Sequence, residues 1–268
     1  MSNCNPTQTP LNHSTKLHKR QLGEEAADVD WYRMIIGKFM HLLYTRADIA
    51  SAVSKLAQYL SDPSEIHARE AKHLLRYLKG TTDHGIEYSA DNASPIIAYS
   101  DASFDDDFDT SRSTSGFVLM YNGGSISHSS KKQPVVALSS MESEYIALSE
   151  TTREAMFLQQ LLEDINIPSL DLPNDRIPVN SKKKEAIEVL TDSQAAHDHI
   201  VKNLSHSRTK HIRRRFNFTR EAHNQENIEL KRIPATEQVA DICTKILGPI
   251  AHERALMLLN MKTFQIPI

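Results

Sequence analysis

From about residue 86 onward the chain alternates short strands with helices, and that order constrains the fold more than any other feature. IEYSA, PIIAYSD, TSGFVLMYNGGSISHSS and PVVALSS are short runs rich in β-branched or aromatic residues. Asn122-Gly123-Gly124, between two of them, signals a tight hairpin. Ser139-Ser140-Met141-Glu142 reads as a capping box. It opens a long helix to about Asp164, striped by Ala147, Leu148, Thr151, Ala155, Leu158 and Leu162. Residues 168–184 hold three prolines and Lys182-Lys183-Lys184, which predicts a loop. A buried-type strand over 186–191 ends at Asp192. A helix to about Lys202, a basic helical stretch near 207–223 and a strand over 228–233 follow. Thr236 is placed to cap a last helix with Val239, Cys243, Ile246 and Leu247 inward. The order is β-β-β-α-β-α-α-β-α. Hairpin-joined strands pair antiparallel, and strands that arrive after helices can pair in parallel by crossovers. The expected class is therefore α/β, a mixed sheet with helices packed on it.

Upstream the texture is helical. WYRMIIGKFMHLLYT, from Trp31, fits a helix of about ten residues. Ile49, Val53, Leu56 and Leu60 recur at 4, 3 and 4, one face of a second. Asp62-Pro63-Ser64-Glu65 combines a capping-box pair with proline at the first helical position. Ala71, Leu74, Leu75 and Leu78 stripe the third helix, and Gly80 suits its C-terminal cap. Before them, 1–29 is polar and aperiodic, with Pro6, Pro10 and Gly23, and is read as a poorly ordered lead-in. The expected organisation is a lead-in over 1–29, a helical segment over 30–85, the α/β unit over 86–250 and a helix or tail over 251–268.

Composition narrows the classes further. An apolar share of 40% in 268 residues is enough for a core, which argues against wholesale disorder. A net charge of −3 excludes a chain that is basic throughout. No run of about 18 apolar residues predicts a membrane helix, and MSNCNPTQTPLNHSTKLHKR lacks the apolar centre of a signal peptide. Cys4 and Cys243 are too few for a disulfide framework or a zinc site. These readings point to a soluble intracellular protein, with cytoplasm and nucleus left open.

Four carboxylates sit where turns and caps alone do not account for them together. Asp101 and Asp192 each end an apolar strand, and in open sheets sites gather beyond such strand ends. Either one alone also fits a residue that starts a turn. Glu144 shares the inward stripe of its helix, where carboxylates are almost never buried unpaired. Its neighbour Glu142 has the capping box to fill. Asp241 follows Ala240 in the first turn of the last helix, a position the helix dipole also favours. If the four converge, their repulsion raises their pKa values and a divalent cation relieves it. Oxygen ligands without His or Cys suit Mg²⁺ or Mn²⁺. Two such ions about 3.5–4 Å apart are standard machinery for phosphodiester cleavage.

The motifs then reach a family. YTRADIASAVSKLAQYLSDP, AKHLLRYLKGTTDHGI, AYSDASF, SRSTSGFVLMYNGGSIS, SSKKQPVVALSSMESEYIALSE, LTDSQAA, SRTKHIRRRFNFTRE and ATEQVADICTKIL occur in this order. Over roughly residues 30–260 the chain resembles the C-terminal end of the Pol polyprotein of copia-type LTR retrotransposons. The resemblance implies a ribonuclease H domain from about 95 to 247, with a five-stranded mixed sheet of order 3-2-1-4-5. It implies metal-dependent endonucleolytic hydrolysis of the RNA strand of RNA–DNA hybrids. Asp101, Glu144, Asp192 and Asp241 match that family's four metal-binding carboxylates, and the helical segment resembles the link from polymerase to ribonuclease H. The polymerase Tyr-x-Asp-Asp turn, fingers and palm are not in this sequence, so polymerase activity is not expected. Ala47 stands where the family usually has proline, His128 where it has tryptophan, and Arg213 where it has aspartate.

Residues 202–232 carry nine Lys or Arg against three Glu. Arg208, Lys210, Arg213, Arg214 and Arg215, with Phe216 and Phe218 interleaved, are candidates for binding the phosphate backbone of a hybrid. A solvated helix face is the plainer reading of such a run. Ser103, Ser113 and Thr114 are candidate hydroxyl donors. Thirteen histidines have no Cys partners at zinc spacing, and none lies between Ile233 and Asp241. A reading from another class stays open: a catalytically inactive nucleic-acid-binding transposon remnant.

Overall fold

The computed structural model describes residues 3–89, 94–165, 186–202 and 213–265. Three helices lead: α1 (Val29–Leu42), α2 (Ala50–Ala57, entered through a 3-10 turn at Ala47–Ile49) and α3 (Glu65–Gly80). Then come β1 (His84–Ile86), β2 (Ile97–Ser103), β3 (Thr114–Tyr121), β4 (Gly124–Lys132) and α4 (Ser140–Ile165). After them run β5 (Ile187–Thr191), α5 (Gln194–Val201), α6 (Arg213–Asn224) and β6 (Ile228–Arg232). The chain closes with α7 (Asp241–Thr244), α8 (Pro249–Leu258) and β7 (Met261–Thr263).

Five strands form the main sheet in the order β4-β3-β2-β5-β6, which is 3-2-1-4-5 when its own strands are counted. The meander β2-β3-β4 is antiparallel, while β5 runs parallel to β2 and β6 parallel to β5. Asn122 and Gly123, with φ of 50° and 81°, make the tight β3–β4 turn. Strand periodicity divides the core into two layers. Ala98 and Leu119 face Ile146, Leu148, Ala155 and Ile200 of α4 and α5. Val118 faces Val239, Ile242 and Cys243 beneath the sheet, together with Ala47, Ala50, Ala255 and Leu259.

The helical unit has its own core of Tyr32, Ile36, Phe39, Val53, Leu56, Leu74 and Tyr77. Its α1 spans 14 residues rather than about ten, because Asp28 accepts from the amides of Asp30 and Trp31 and starts it early. Ser64, not Asp62, caps α3, in a capping box closed by His67. Gly80 lies inside that helix, and Thr81 caps it.

The lead-in departs most from expectation. Residues 3–28 lie packed along α3, whose polar side chains, spaced three apart, satisfy an aperiodic backbone. The carboxylate of Glu70 accepts from the Asn12 amide and the Thr15 hydroxyl, the His73 ring meets the Thr9 carbonyl, and Arg76 and Lys79 donate to the carbonyls of Asn5 and Cys4. Leu11 is buried among the aromatic residues of the helical core. Three further readings change. PVVALSS is a loop whose Val135, Val136 and Leu138 are exposed. Pro134 has no amide for a sheet ladder, and Ser139 already belongs to the entry of α4. The helix expected from Thr236 starts only at Asp241, after a separate 3-10 turn at Ala235–Glu237. IEYSA contributes only Ile86 to β1, which pairs with β7 instead of the main sheet. The predicted loop at 168–184 lies outside the described residues.

One buried network ties the helical unit to the C-terminal helix. Arg46 grips Asp48 with two hydrogen bonds of 2.8 and 2.7 Å and donates to the carbonyl and hydroxyl of Thr81. Tyr77 donates to Asp48 at 2.6 Å, and its oxygen lies 2.9 Å from Nε2 of His252 on α8. With its one proton committed to Asp48, that hydroxyl accepts, so Nε2 of His252 carries a proton. Burial would raise the Asp48 carboxyl, but the Arg46 contacts overcome it and hold the group below the usual carboxylate range. Asp48→Asn leaves Arg46 buried without its counter-charge. Urea denaturation is expected to show a loss of about 3–5 kcal/mol.

Candidate active site

Strand register brings the first two acids together. Residues Ile97, Ala98 and Tyr99 of β2 pair with Glu188, Val189 and Leu190 of β5. Continued in parallel, that register sets Asp192, just past the end of β5, beside Asp101. Glu144 reaches the same place from one turn into α4. Carboxylate oxygens of Asp101, Glu144 and Asp192 all lie within 4.8 Å of one another, a spacing that could hold a metal ion. Asp101 is only 1% exposed. The neighbouring Glu142 stays out of the group: its carboxylate accepts from the Leu138 amide while its own amide donates to Ser139.

Asp241 joins through α7. Its Oδ1 lies 2.5 Å from Nζ of Lys245, one helical turn on, and the same ammonium stands 3.3 Å from Oδ2 of Asp101. Thr244 donates its hydroxyl to Asp101. This approach needs Gly116, the antiparallel partner of Asp101. A Cβ there would stand 2.5 Å from Cγ2 of Thr244 and 2.9 Å from Cβ of Cys243. Gln238, buried, bridges the same region, donating to the Ser100 carbonyl and accepting from the Ala240 amide.

Electrostatics follow from this crowding. Burial first, then the charges of Asp101 and Asp192, push Glu144 up to about 9. Burial and Asp101 also raise Asp192, and raise Asp241 to about 6 against the pull of Lys245. Burial would lower the Lys245 ammonium, but Asp101 and Asp241 together raise it. Oε2 of Glu144 is buried with no hydrogen-bond partner among the described residues.

The four predicted acids therefore meet at one end of the sheet. Lys245, Thr244, Gln238 and Gly116 were not singled out from sequence. The TK of ADICTKIL, three and four residues past Asp241, was the available signal for Thr244 and Lys245, since residues at that spacing share a helix face. Of the basic candidates, Arg208 and Lys210 lie outside the described residues, while Arg213, Arg214 and Arg215 fall in the first turn of α6. Two hydroxyl candidates are corrected. Ser113 is fully buried and accepts from the Asp105 amide, and Thr114 donates to Asp106. Ser113 is committed inside the β2–β3 connection and Thr114 at the start of β3.

The Pol polyprotein of transposon TNT 1-94 from Nicotiana tabacum is 34% identical to the chain over 268 residues, 97% of this chain and 19% of that protein. That of transposon RE2 from Arabidopsis thaliana is 34% identical over 253 residues, 94% of this chain and 16% of that protein. The chain belongs to the retrovirus-related Pol family of copia-type transposons. It spans less than a fifth of the length of these Pol relatives. No protein-family model matches. Among solved structures, LC11-RNase H1 isolated from compost aligns with a TM-score of 0.40 and 17% identity, over 60% of this Pol segment and 98% of that chain. No described helix is long and apolar enough to cross a membrane.

Two outcomes are expected of this geometry. Gly116→Ala forces α7 off the sheet and lowers stability by about 1–3 kcal/mol, read from thermal unfolding. A carboxyl raised in the folded state keeps a proton that the unfolded chain has released, so stability falls as pH rises between the two values. For Glu144 that window runs from 4.5 to about 9. His67 and His252, pushed down to about 4 by burial, act on the other side: their contribution is present above 6.5 and lost as pH falls toward 4. In EDTA the Tm is expected to fall between pH ~7 and ~9. A flat profile there would contradict the placement of Glu144.

Proposed function

We propose that this Pol segment is a ribonuclease H, cleaving the RNA strand of RNA–DNA hybrids with divalent cations and carrying no polymerase site. The observation that carries the reading is the meeting of Asp101, Glu144 and Asp192 at the ends of two central parallel strands, with Asp241 alongside. The donor set fits a hard cation. It is all oxygen, and one buried oxygen, Oε2 of Glu144, has no partner among the described residues. Asp101, Glu144 and Asp192 would hold one ion, and Asp101 with Asp241 a second. Two Mg²⁺ or Mn²⁺ ions, when bound, supply a nucleophilic water at neutral pH and stabilise charge on the departing 3′ oxygen.

The chain's own residues supply the framework. Thr244 fixes the orientation of Asp101 through its hydroxyl. Gln238 ties the strand before Asp101 to the turn before Asp241. Arg208, Lys210, Arg213, Arg214 and Arg215 are assigned to the phosphate backbone of the hybrid, where they would add a salt-dependent, sequence-independent term. Recognition of the hybrid itself would rest on groove shape and 2′-hydroxyl contacts.

Cleavage of an end-labelled hybrid tests this. Loss of the RNA strand alone is expected with Mg²⁺ or Mn²⁺ and not with EDTA. Asp101→Asn and Asp192→Asn are each expected to slow it by about 10²–10⁴-fold. Full activity in either variant would sink the assignment. Hybrid binding by folded protein without metal-dependent cleavage would favour the inactive nucleic-acid-binding remnant.

A further inference from the structure

The acid cluster has two unlike sides. On one, Asp101, Glu144 and Asp192 face one another with no ion pair to Glu144 or Asp192 among the described residues, and Oε2 of Glu144 is buried and unpartnered. On the other, Nζ of Lys245 lies 2.5 Å from Asp241 and 3.3 Å from Asp101, and so bridges the two carboxylates. We propose that the Lys245 ammonium is a built-in counter-ion that closes the Asp101–Asp241 side to a divalent cation until it is displaced. The open side then takes the first ion alone. This inference rests on the reading of the cluster as a divalent-ion site.

Position and chemistry both fit the role. Lys245 is the C-cap residue of α7, four positions after Asp241, so the pair forms without any rearrangement of the sheet. Thr244 occupies Asp101 from the adjacent position, which leaves the ammonium to balance the remaining charge. The lysine side chain is 38% exposed, while that of Asp101 is 2% exposed. A flexible four-carbon stem with its head at the solvent edge can swing out without unpacking the core. A single positive charge exchanges for a double one on a pair of carboxylates, so the exchange is unfavourable in the empty site only to the extent that the ion pair must break.

Calorimetric titration of the metal-free full chain with Mn²⁺, without nucleic acid, tests the proposal. Wild type is expected to take up one tightly bound ion. Lys245→Met is expected to bind a second ion, at least about tenfold more tightly than wild type binds it, since the competing ion pair is gone. Lys245→Arg retains the charge and is expected to match wild type. Asp192→Asn is expected to weaken the first binding event in either background. Should Lys245→Met not fold in EDTA, Lys245→Gln carries the same comparison, with the Mn²⁺-induced rise in Tm as its readout. Identical titrations for wild type and the uncharged variants, with Asp192→Asn still weakening the first event, would overturn the counter-ion and leave the metal site standing. No Mn²⁺ uptake by any variant would overturn both.

Discussion

Crowded carboxylates at the ends of β2 and β5 set the terms for the rest of the molecule. Like charges about 4 Å apart repel by roughly 4 kcal/mol in a partly polar protein environment. This chain brings three acids within 4.8 Å and a fourth nearby. Asp101 has almost no access to water that could screen it. The surroundings are arranged around that repulsion. Thr244 and Lys245 face Asp101, Glu144 retains a proton to an unusually high pH, and Gly116 leaves the gap through which α7 delivers both partners. A single Cβ at residue 116 would separate the acids from the groups that balance them.

Much of this was legible from residue order, for a physical reason. Strand ends and helix stripes are local patterns, so Asp101 and Asp192 stood out as interruptions and Glu144 as a charge on an apolar face. Parallel pairing then turned two separate local signals into one site. What stayed hidden depends on contacts between distant segments. Gly116 matters only because Cys243 and Thr244 lie over it. Lys245 matters only because Asp101, far away in sequence, is beside it. The lead-in failed differently. Its order comes from backbone carbonyls and amides bound by α3, and such binding leaves no hydrophobic period to read. PVVALSS misled because a short apolar run does not distinguish a strand from an exposed loop.

The helical unit and the sheet also prove less separable than their textures suggested. Ala47 and Ala50 share a core with Val118 of β3 and Cys243 of α7. Strand β7, near the C-terminus, pairs with β1, which directly follows α3. Between them the Arg46–Asp48–Tyr77–His252 network is buried, charged and satisfied on both sides. Such a network is poor evidence for net stability, because desolvation offsets most of its attraction. It is better evidence for a unique arrangement, since any slippage would leave a buried charge without its partner.

That arrangement bears on the acid cluster. Helix α7 is only four residues long and has no side-chain hydrogen bond at its N-cap. So short a helix does not hold itself in place. Its position comes from neighbours: Ile242 and Cys243 are packed under the sheet, and Ala47 and Ala50 press from the helical unit. The turn of the chain from α7 into α8 is held at its far end by His252 against Tyr77. The segment that carries Asp241, Thr244 and Lys245 to the site is thus clamped between the sheet and the helices. The ends of β2 and β5 supply Asp101 and Asp192, α4 supplies Glu144, and the helical unit holds Asp241 in reach of them.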